Sequence, residues 1–164
     1  MANKRMQLPS QEHLNELLEY KDGELYRRKP CGTVDGSGYM QTGIKGKYYK
    51  NHRIIFMMHY GYVPDYIDHI DGNPLNNRIE NLRPATSSQN QYNTSIRSKN
   101  RSGVKGVSFD PSSKKWKARI GFDNKDILLG KFNTVEEAAK VVNDAREKYH
   151  KEFANFGKFN EIHK

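Results

Sequence analysis

The chain is poor in cysteine, in apolar residues and in acid. Cys31 is the single cysteine, which excludes an internal disulfide framework and a thiolate-rich zinc site. It points to a reducing, cytoplasmic setting rather than a secreted one. Hydrophobic residues make up 35% of the 164, against roughly 45–50% in globular chains, a norm that also counts glycine. Mean hydropathy is -0.97. One large core is therefore not expected, and small sheets with half-solvated faces are. No stretch approaches the ~18 apolar residues of a membrane span, so no membrane partner is expected. The stretch Met1 to Pro9 is polar and has no apolar core of a secretion signal.

Acid is outnumbered by base. Lys and Arg total 28 and Asp and Glu 19, a formal net charge of +9. A basic surface draws nucleic acid by neutralising phosphates and releasing counterions. The charge is unevenly placed. Residues 1–50 hold 9 basic and 6 acidic residues, residues 51–98 hold 4 and 4, and residues 99–164 hold 15 and 9. A neutral middle between basic ends suits a cleavage site inside a DNA-binding protein. Its carboxylates would hold a cation while the flanks hold phosphates.

Punctuation and periodicity divide the chain. Arg97 to Lys105 has four basic residues, no acid, one Gly and two Ser, the composition of a flexible linker. The expected organisation is a domain over 1–96, a basic linker over 97–104 and a second domain over 105–164. Ser10 is placed to cap a helix through Tyr20. Asp22-Gly23 signals a turn ahead of a strand at Glu24 to Arg28. Tyr48 to Tyr60 reads as a buried helix ended by Gly61 and Pro64. Tyr66 to Asn73 is a short strand running into a polar turn, Leu82-Arg83-Pro84 a returning strand, and Thr86 or Ser87 caps a polar helix. Past the linker the period changes. Val107 and Phe109, then Trp116, Ala118 and Ile120, then Ile127, Leu129 and Phe132 alternate with polar residues, which gives three short strands. Thr134 and Glu137 form a capping box for a helix to about Tyr149. The fold class is α+β, and the C-terminal part is a small three-stranded antiparallel sheet packed on one helix.

The chemistry concentrates in Asp68 to Leu82 and the following Asn90. Phosphodiester hydrolysis needs a base to activate water and a cation to stabilise charge on the phosphate. Histidine suits the base, with an unperturbed pKa of ~6.5. A hard divalent cation prefers oxygen donors such as Asp carboxylate and Asn carbonyl. Asp68 and His69 are adjacent on an extended segment and so point to opposite sides. By spacing alone, Asp-His is a common dipeptide and Asp71-Gly72-Asn73 an ordinary turn. Asn76, Asn77 and Asn81 equally suit the satisfaction of loop backbone groups. His52 and His59 read as packing or polar bracing near the core, and His13, His150 and His163 belong to no constellation.

Taken in order, His52-Arg53, Asp68-His69, Asp71-Gly72-Asn73, Asn76-Asn77, Asn81-Leu82-Arg83 and Asn90 resemble the HNH endonuclease family, in particular small phage and intron-associated homing endonucleases. The resemblance implies a ββα-metal (HNH, His-Me finger) motif over about 66–94, a hairpin and a helix around one divalent cation. By that resemblance His69 is the general base, Asp68 and Asn90 ligate Mg²⁺ (or Mn²⁺), and Asn81 pins the loop so that His69 is oriented. No zinc site is expected. Asn73, Asn77 and Arg83 are weaker candidates for loop bracing or phosphate contact. Other branches of the family carry His where Asp68 stands, and often an aromatic where Pro84 stands.

Ser102 to Val107, Lys115 to Ile120, Leu129 to Phe132, Thr134 to Ala139 and Ala154-Asn155-Phe156 are similar to the APETALA2-type DNA-binding domain. Such domains lay a three-stranded sheet in the DNA major groove. Alternation sends Trp116, Ala118 and Ile120 towards the helix and Lys117 and Arg119 outward, and a ribbon of this kind fits a groove ~12 Å wide. The DNA-contact candidates are Arg83, Arg101, Lys105, Ser108, Lys117, Arg119 and Lys131, with Arg119 expected to read a base edge and the lysines to grip phosphate. Ser108, Asp110 and Leu128 depart from plant relatives, so their target preference does not carry over. Trp116 also suits base stacking, although its alternation argues for core. The basic residues Arg27, Arg28, Lys29, Lys45, Lys47 and Lys50 are offered as phosphate contacts on charge alone.

The expected function is a metal-dependent, site-specific DNA endonuclease of homing type. It would leave 3′-hydroxyl and 5′-phosphate ends on double-stranded DNA as a monomer or weak dimer, in the host cytoplasm if phage-encoded. The rivals are a non-catalytic DNA-binding regulator and a nuclease selective for branched nucleic acid.

Overall fold

The computed structural model describes residues 7–27, 30–94, 96 and 100–156. Arg28, Lys29, Arg97 to Lys99 and His163 lie outside the described residues. Two compact units result, Met1–Pro84 and Ala85–Lys164. The sequence reading set a linker at 97–104, whereas Asn100 to Val104 is bonded into the second unit. Ser102 Oγ donates to the carbonyl of Val107 at 2.7 Å, and Asn100 Nδ2 donates to that of Val104 at 2.9 Å.

In the first unit α1 (Gln11–Leu17) starts at Ser10, whose side chain accepts from the His13 amide at 3.4 Å. It ends three residues earlier than the expected Tyr20. The chain becomes extended there, and β1 (Glu19–Lys21) pairs with β2 (Glu24–Tyr26) through a turn at Asp22 and Gly23, φ 52° and 90°. Positive φ at both central residues is the two-residue hairpin geometry that matches strand twist. β3 (Pro30–Cys31) joins that sheet, and β4 (Thr33–Val34), β5 (Met40–Ile44) and β6 (Lys47–Lys50) form a second antiparallel sheet. α2 (Asn51–Tyr60) follows directly. A single helix was expected from Tyr48. The structure instead makes Lys47–Lys50 a strand, because Lys45-Gly46, φ 49° and 76°, forms another tight hairpin and Tyr49 is buried on the sheet. Gly61, φ 74°, ends α2 in the left-handed conformation.

One core joins these elements. Leu14 and Leu18 meet Leu25, Ile44, Ile54, Ile55 and Phe56, together with Ile67 and Leu82. Each such side chain contributes about 1.5–3 kcal/mol by leaving water. The last two residues belong to β7 (Tyr66–His69) and β8 (Leu82–Ala85), which pair with each other as the sequence suggested. The core therefore grips both strands that border the Asn-rich loop.

The second unit opens with α3 (Ser87–Tyr92), capped by Thr86 in a reciprocal box with Gln89. β9 (Val107–Asp110), β10 (Lys115–Phe122) and β11 (Lys125–Phe132) form an antiparallel sheet with β10 central. α4 (Val135–His150), boxed by Thr134 and Glu137, packs on it through Ala138 and Val142 against Val107 and Ala118. This is the sheet-and-helix arrangement read from the alternation. Trp116 is half-buried and meets Phe109 edge to face, 5.2 Å between ring centroids.

Candidate active site

β7 runs from exposed Tyr66 into burial, so that Asp68 and His69 are only 3% and 6% exposed. Burying ionisable groups is costly unless each is answered by a partner, and each is. Arg83, on the paired strand β8, brings Nε to 2.8 Å and Nη2 to 2.7 Å of Asp68 Oδ2. His69 Nε2 lies 3.1 Å from Asn77 Oδ1. Asn77 is 2% exposed, and its Nδ2 donates to the carbonyl of Leu75 at 3.3 Å. That bond turns the amide so that its oxygen faces the imidazole. His69 therefore carries its proton on Nε2 and keeps the lone pair on Nδ1. Burial lowers the His69 pKa below its ordinary 6.5, a tendency that the Asn77 bond and the charges of Asp71 and Asp68 oppose. Buried neutral imidazole with a fixed tautomer is the state a general base requires.

The loop after His69 is tied from within. Asn81 Nδ2 donates to Asp71 Oδ1 at 2.9 Å and to the Asn76 carbonyl at 2.8 Å, while its Oδ1 accepts from the Asp71 amide at 3.1 Å. Asn76 Nδ2 donates to Asp71 Oδ2 at 2.7 Å, and the Asn73 amide donates to Asp71 Oδ1 at 2.8 Å. The Asn81 backbone accepts from the Ile70 amide at 2.9 Å, which closes the loop at its base. Asp71 is thus the hub, Asn81 the crosspiece, and Asn77 the residue that touches His69. The N-terminal hairpin supports this loop from outside. Tyr20 Oη accepts from the Ile79 amide at 2.7 Å, and a Cβ on Gly23 would come within 2.8 Å of the Arg78 nitrogen.

His52, read as packing or polar bracing near the core, stands beside His69. Its ring meets His69 edge on, 5.2 Å between centroids, with Tyr39 5.4 Å from His52 and 6.0 Å from His69. Its Nδ1 is buried without a hydrogen-bond partner. Burial, with the neighbouring His69, lowers the His52 pKa to about 3, so this ring stays neutral. His52 lies in the His52-Arg53 piece of the motif, which was the available signal. Nothing in the spacing singled out Asn77 from the other loop asparagines.

Of the remaining candidates, Asn90 lies on α3 in the second unit, as do all the sheet residues. Ser108 and Arg101 are exposed. Lys131 lies 2.7 Å and Lys117 3.7 Å from Asp110 Oδ2. The Lys131 ammonium and the Ser112 and Ser113 hydroxyls hold the Asp110 carboxyl far below its usual range. Arg119 is paired with Asp126 across β10 and β11. Lys105, a candidate phosphate contact, is bonded within its own unit. Its ammonium donates to the carbonyls of Tyr92, at 2.7 Å, and Thr94. Burial lowers the Lys105 pKa to about 8, and the charge of Arg146 adds to this.

Comparison with known proteins places this geometry. Residues 49–92 match the HNH endonuclease family model, a span that contains Asp68, His69, Asn77, Asn81 and Asn90. Protein 3.8 of Escherichia phage T7 is 36% identical over 91 residues, which cover 56% of this chain and 74% of that one. An uncharacterized HNH endonuclease of Acanthamoeba polyphaga mimivirus is 35% identical over 120 residues, covering 72% of this chain and 62% of that one. No solved structure matches the chain significantly. With a buried Asp-His pair at the centre of the matched span and a viral HNH endonuclease among its relatives, the chain carries an HNH endonuclease domain over residues 49–92 and is a DNA endonuclease.

Proposed function

We propose that the protein is a metal-dependent, site-specific nuclease of homing type that cuts duplex DNA with His69 as base. The observation that carries this reading is the Asn77 bond on His69, which leaves Nδ1 unprotonated in a buried site next to Asp68. In the proposed reaction His69 Nδ1 takes a proton from water, and the resulting hydroxide attacks phosphorus opposite the leaving O3′. The P–O3′ bond breaks with its electron pair on O3′, which takes a proton from solvent water, leaving 3′-hydroxyl and 5′-phosphate ends. Asn77 keeps the imidazole oriented as it becomes cationic, and the Asp71–Asn81 brace keeps the loop still.

HNH nucleases generally use a divalent metal ion. Among the described residues no three His, Cys, Asp or Glu side chains gather where they could together hold a metal ion. The donors that the motif offers are oxygens, the Asp68 carboxylate and the Asn90 carbonyl, which fit a hard ion such as Mg²⁺ or Mn²⁺. Asp68 and Asn90 would hold it, and when bound it would supply electrostatic stabilisation of charge building on the phosphate and on O3′. Arg83 keeps the Asp68 carboxylate oriented.

The second unit is proposed to grip DNA in the manner of an APETALA2-type domain. An antiparallel three-stranded sheet backed by one helix, with Ser108, Lys117 and Lys131 in register on neighbouring strands, supports this. Lys117, Lys131 and Arg101 would meet phosphates, and Arg119, released from Asp126, a base edge.

The test uses supercoiled plasmid carrying candidate target DNA. His69→Ala is expected to bind and not cut, and EDTA to stop wild-type cutting. Equal cutting by His69→Ala would refute the assigned base. Cutting that random duplex competes away as well as target would refute site specificity, since a specific protein prefers its site by ~10³-fold or more.

A further inference from the structure

We infer that Lys105 is a positioning residue for Asn90, acting by capping the C-terminal end of α3 and so setting the direction in which Asn90 projects. The inference rests on the reading of Asn90 as a metal ligand.

α3 has six residues. Helices shorter than ~12–15 residues do not hold themselves in water, so its geometry depends on what is bonded to it. Its N-terminal turn is held locally by the Thr86–Gln89 box. Its C-terminal end exposes carbonyls that no later turn satisfies. The Gln91 carbonyl accepts from the Thr94 hydroxyl at 2.8 Å, and those of Tyr92, Asn93 and Thr94 are answered from the sheet-and-helix part of the same unit. Lys105 Nζ takes the Tyr92 carbonyl at 2.7 Å and also the Thr94 carbonyl. Asn155 Nδ2 donates to the Asn93 carbonyl at 2.8 Å and to its side-chain oxygen at 2.9 Å. A cation in this place also complements the negative end of the helix dipole.

One side of α3 is clamped in the same way. The Tyr92 ring lies flat on His150, with centroids 3.9 Å apart and planes 3° from parallel, and its hydroxyl accepts from the Asp123 amide at 3.1 Å. Ser88 Oγ lies 3.2 Å from Asn124 Oδ1. Ser88 and Tyr92 are four residues apart and share a face. Asn90 lies two residues from each, a rotation of about 200° at 100° per residue, and so occupies the opposite face. The clamp therefore holds the helix by the side that Asn90 does not use. A half-buried ammonium with two carbonyl acceptors is built for that task, and its expected role as a phosphate contact is the competing account.

The experiment compares full-length wild type with Lys105→Met, Lys105→Arg and Asn90→Ala. Three quantities are read: duplex affinity in EDTA over a range of salt, amide exchange of residues 87–94 in metal-free protein, and nicking rate against MgCl₂ concentration. Lys105→Met is expected to leave affinity and salt slope unchanged, to speed exchange in α3, and to raise the Mg²⁺ needed for half-maximal nicking about 10-fold or more, as loss of a ligand's supporting shell does. Lys105→Arg is expected to restore most of the Mg²⁺ response. A salt slope reduced by about 1 in Lys105→Met would make Lys105 a phosphate contact and overturn the inference. If Asn90→Ala shifts the Mg²⁺ response and Lys105→Met does not, positioning fails while the ligand assignment stands. If Asn90→Ala leaves that response unchanged, the ligand assignment itself fails. Should Lys105→Met not fold, Asn155→Ala removes the bonds to Asn93 and is expected to show the same Mg²⁺ shift, and its absence would count against the clamp.

Discussion

Arg83 sets two nitrogens on a single oxygen of Asp68, Nε at 2.8 Å and Nη2 at 2.7 Å from Oδ2. The pair ties β7 to β8 at the depth of the active site, where Asp68 is 3% exposed. Removing one partner of a buried pair leaves the other charge uncompensated, a loss of about 3 kcal/mol or more. Arg83→Ala is therefore expected to lower the unfolding free energy of the first unit, read from urea titration, by about that amount. Arg83→Lys should lose less stability, because an ammonium keeps the charge without the fork.

The Asn77–His69 bond predicts a split between binding and chemistry. Asn77→Ala removes the acceptor that fixes the imidazole tautomer, and the nicking rate at saturating DNA is expected to fall by about 10–100-fold with duplex affinity unchanged. Asn77→Asp puts a carboxylate against Nε2, which favours the imidazolium. Its acid limb in a pH–rate profile should move to higher pH than that of wild type.

The wild-type acid limb carries its own sign. Burial lowers the His69 pKa below 6.5, so the neutral base is populated at lower pH than for free histidine. Nicking should decline only as pH falls through that lowered value. An inflection above 6.5 would contradict burial as the dominant influence.

His52 makes folding itself pH-dependent. Its pKa is about 3 in the folded chain against 6.5 for ordinary histidine. Between those values the unfolded chain takes up a proton and the folded one does not, so stability is complete above 6.5 and declines as pH falls towards 3. The loss by pH 4.5 is about 2–3 kcal/mol. His52→Phe, which keeps a ring against His69, should flatten the urea-measured stability of the first unit across this range.

On the sheet face, Lys117→Ala and Lys131→Ala are each expected to weaken duplex binding for all sequences and to lower the salt slope by about 1. Arg119→Ala should instead reduce the preference for target over random duplex. Fluorescence anisotropy with the two duplexes over a salt series separates these outcomes.

Much of this was legible in the residues. Thr134 announced its helix through a capping box, Thr86 or Ser87 stood as the cap of the shorter one, and Val107, Ala118 and Ile120 announced the sheet by alternation, because those signals are local. Asp68, His69, Asn81 and Asn90 stood out through their order. The strand at Lys47–Lys50 was hidden because two tyrosines and two lysines run into an apolar helix without a break in composition. His52 beside His69, and Asn77 as the hydrogen-bond partner of His69, depend on how two loops fold back, which spacing does not encode. Lys105 looked like any surface lysine, since its acceptors are backbone carbonyls that carry no residue type.

The contact of Tyr20 with Ile79, and of Gly23 with Arg78, has a practical meaning for anyone who would transplant this nuclease. A cassette trimmed to residues 49–92 would keep the motif yet lose its keel, because the hairpin that steadies the asparagine loop is encoded some thirty residues upstream. Engineered fusions should carry the chain from Ser10 onward.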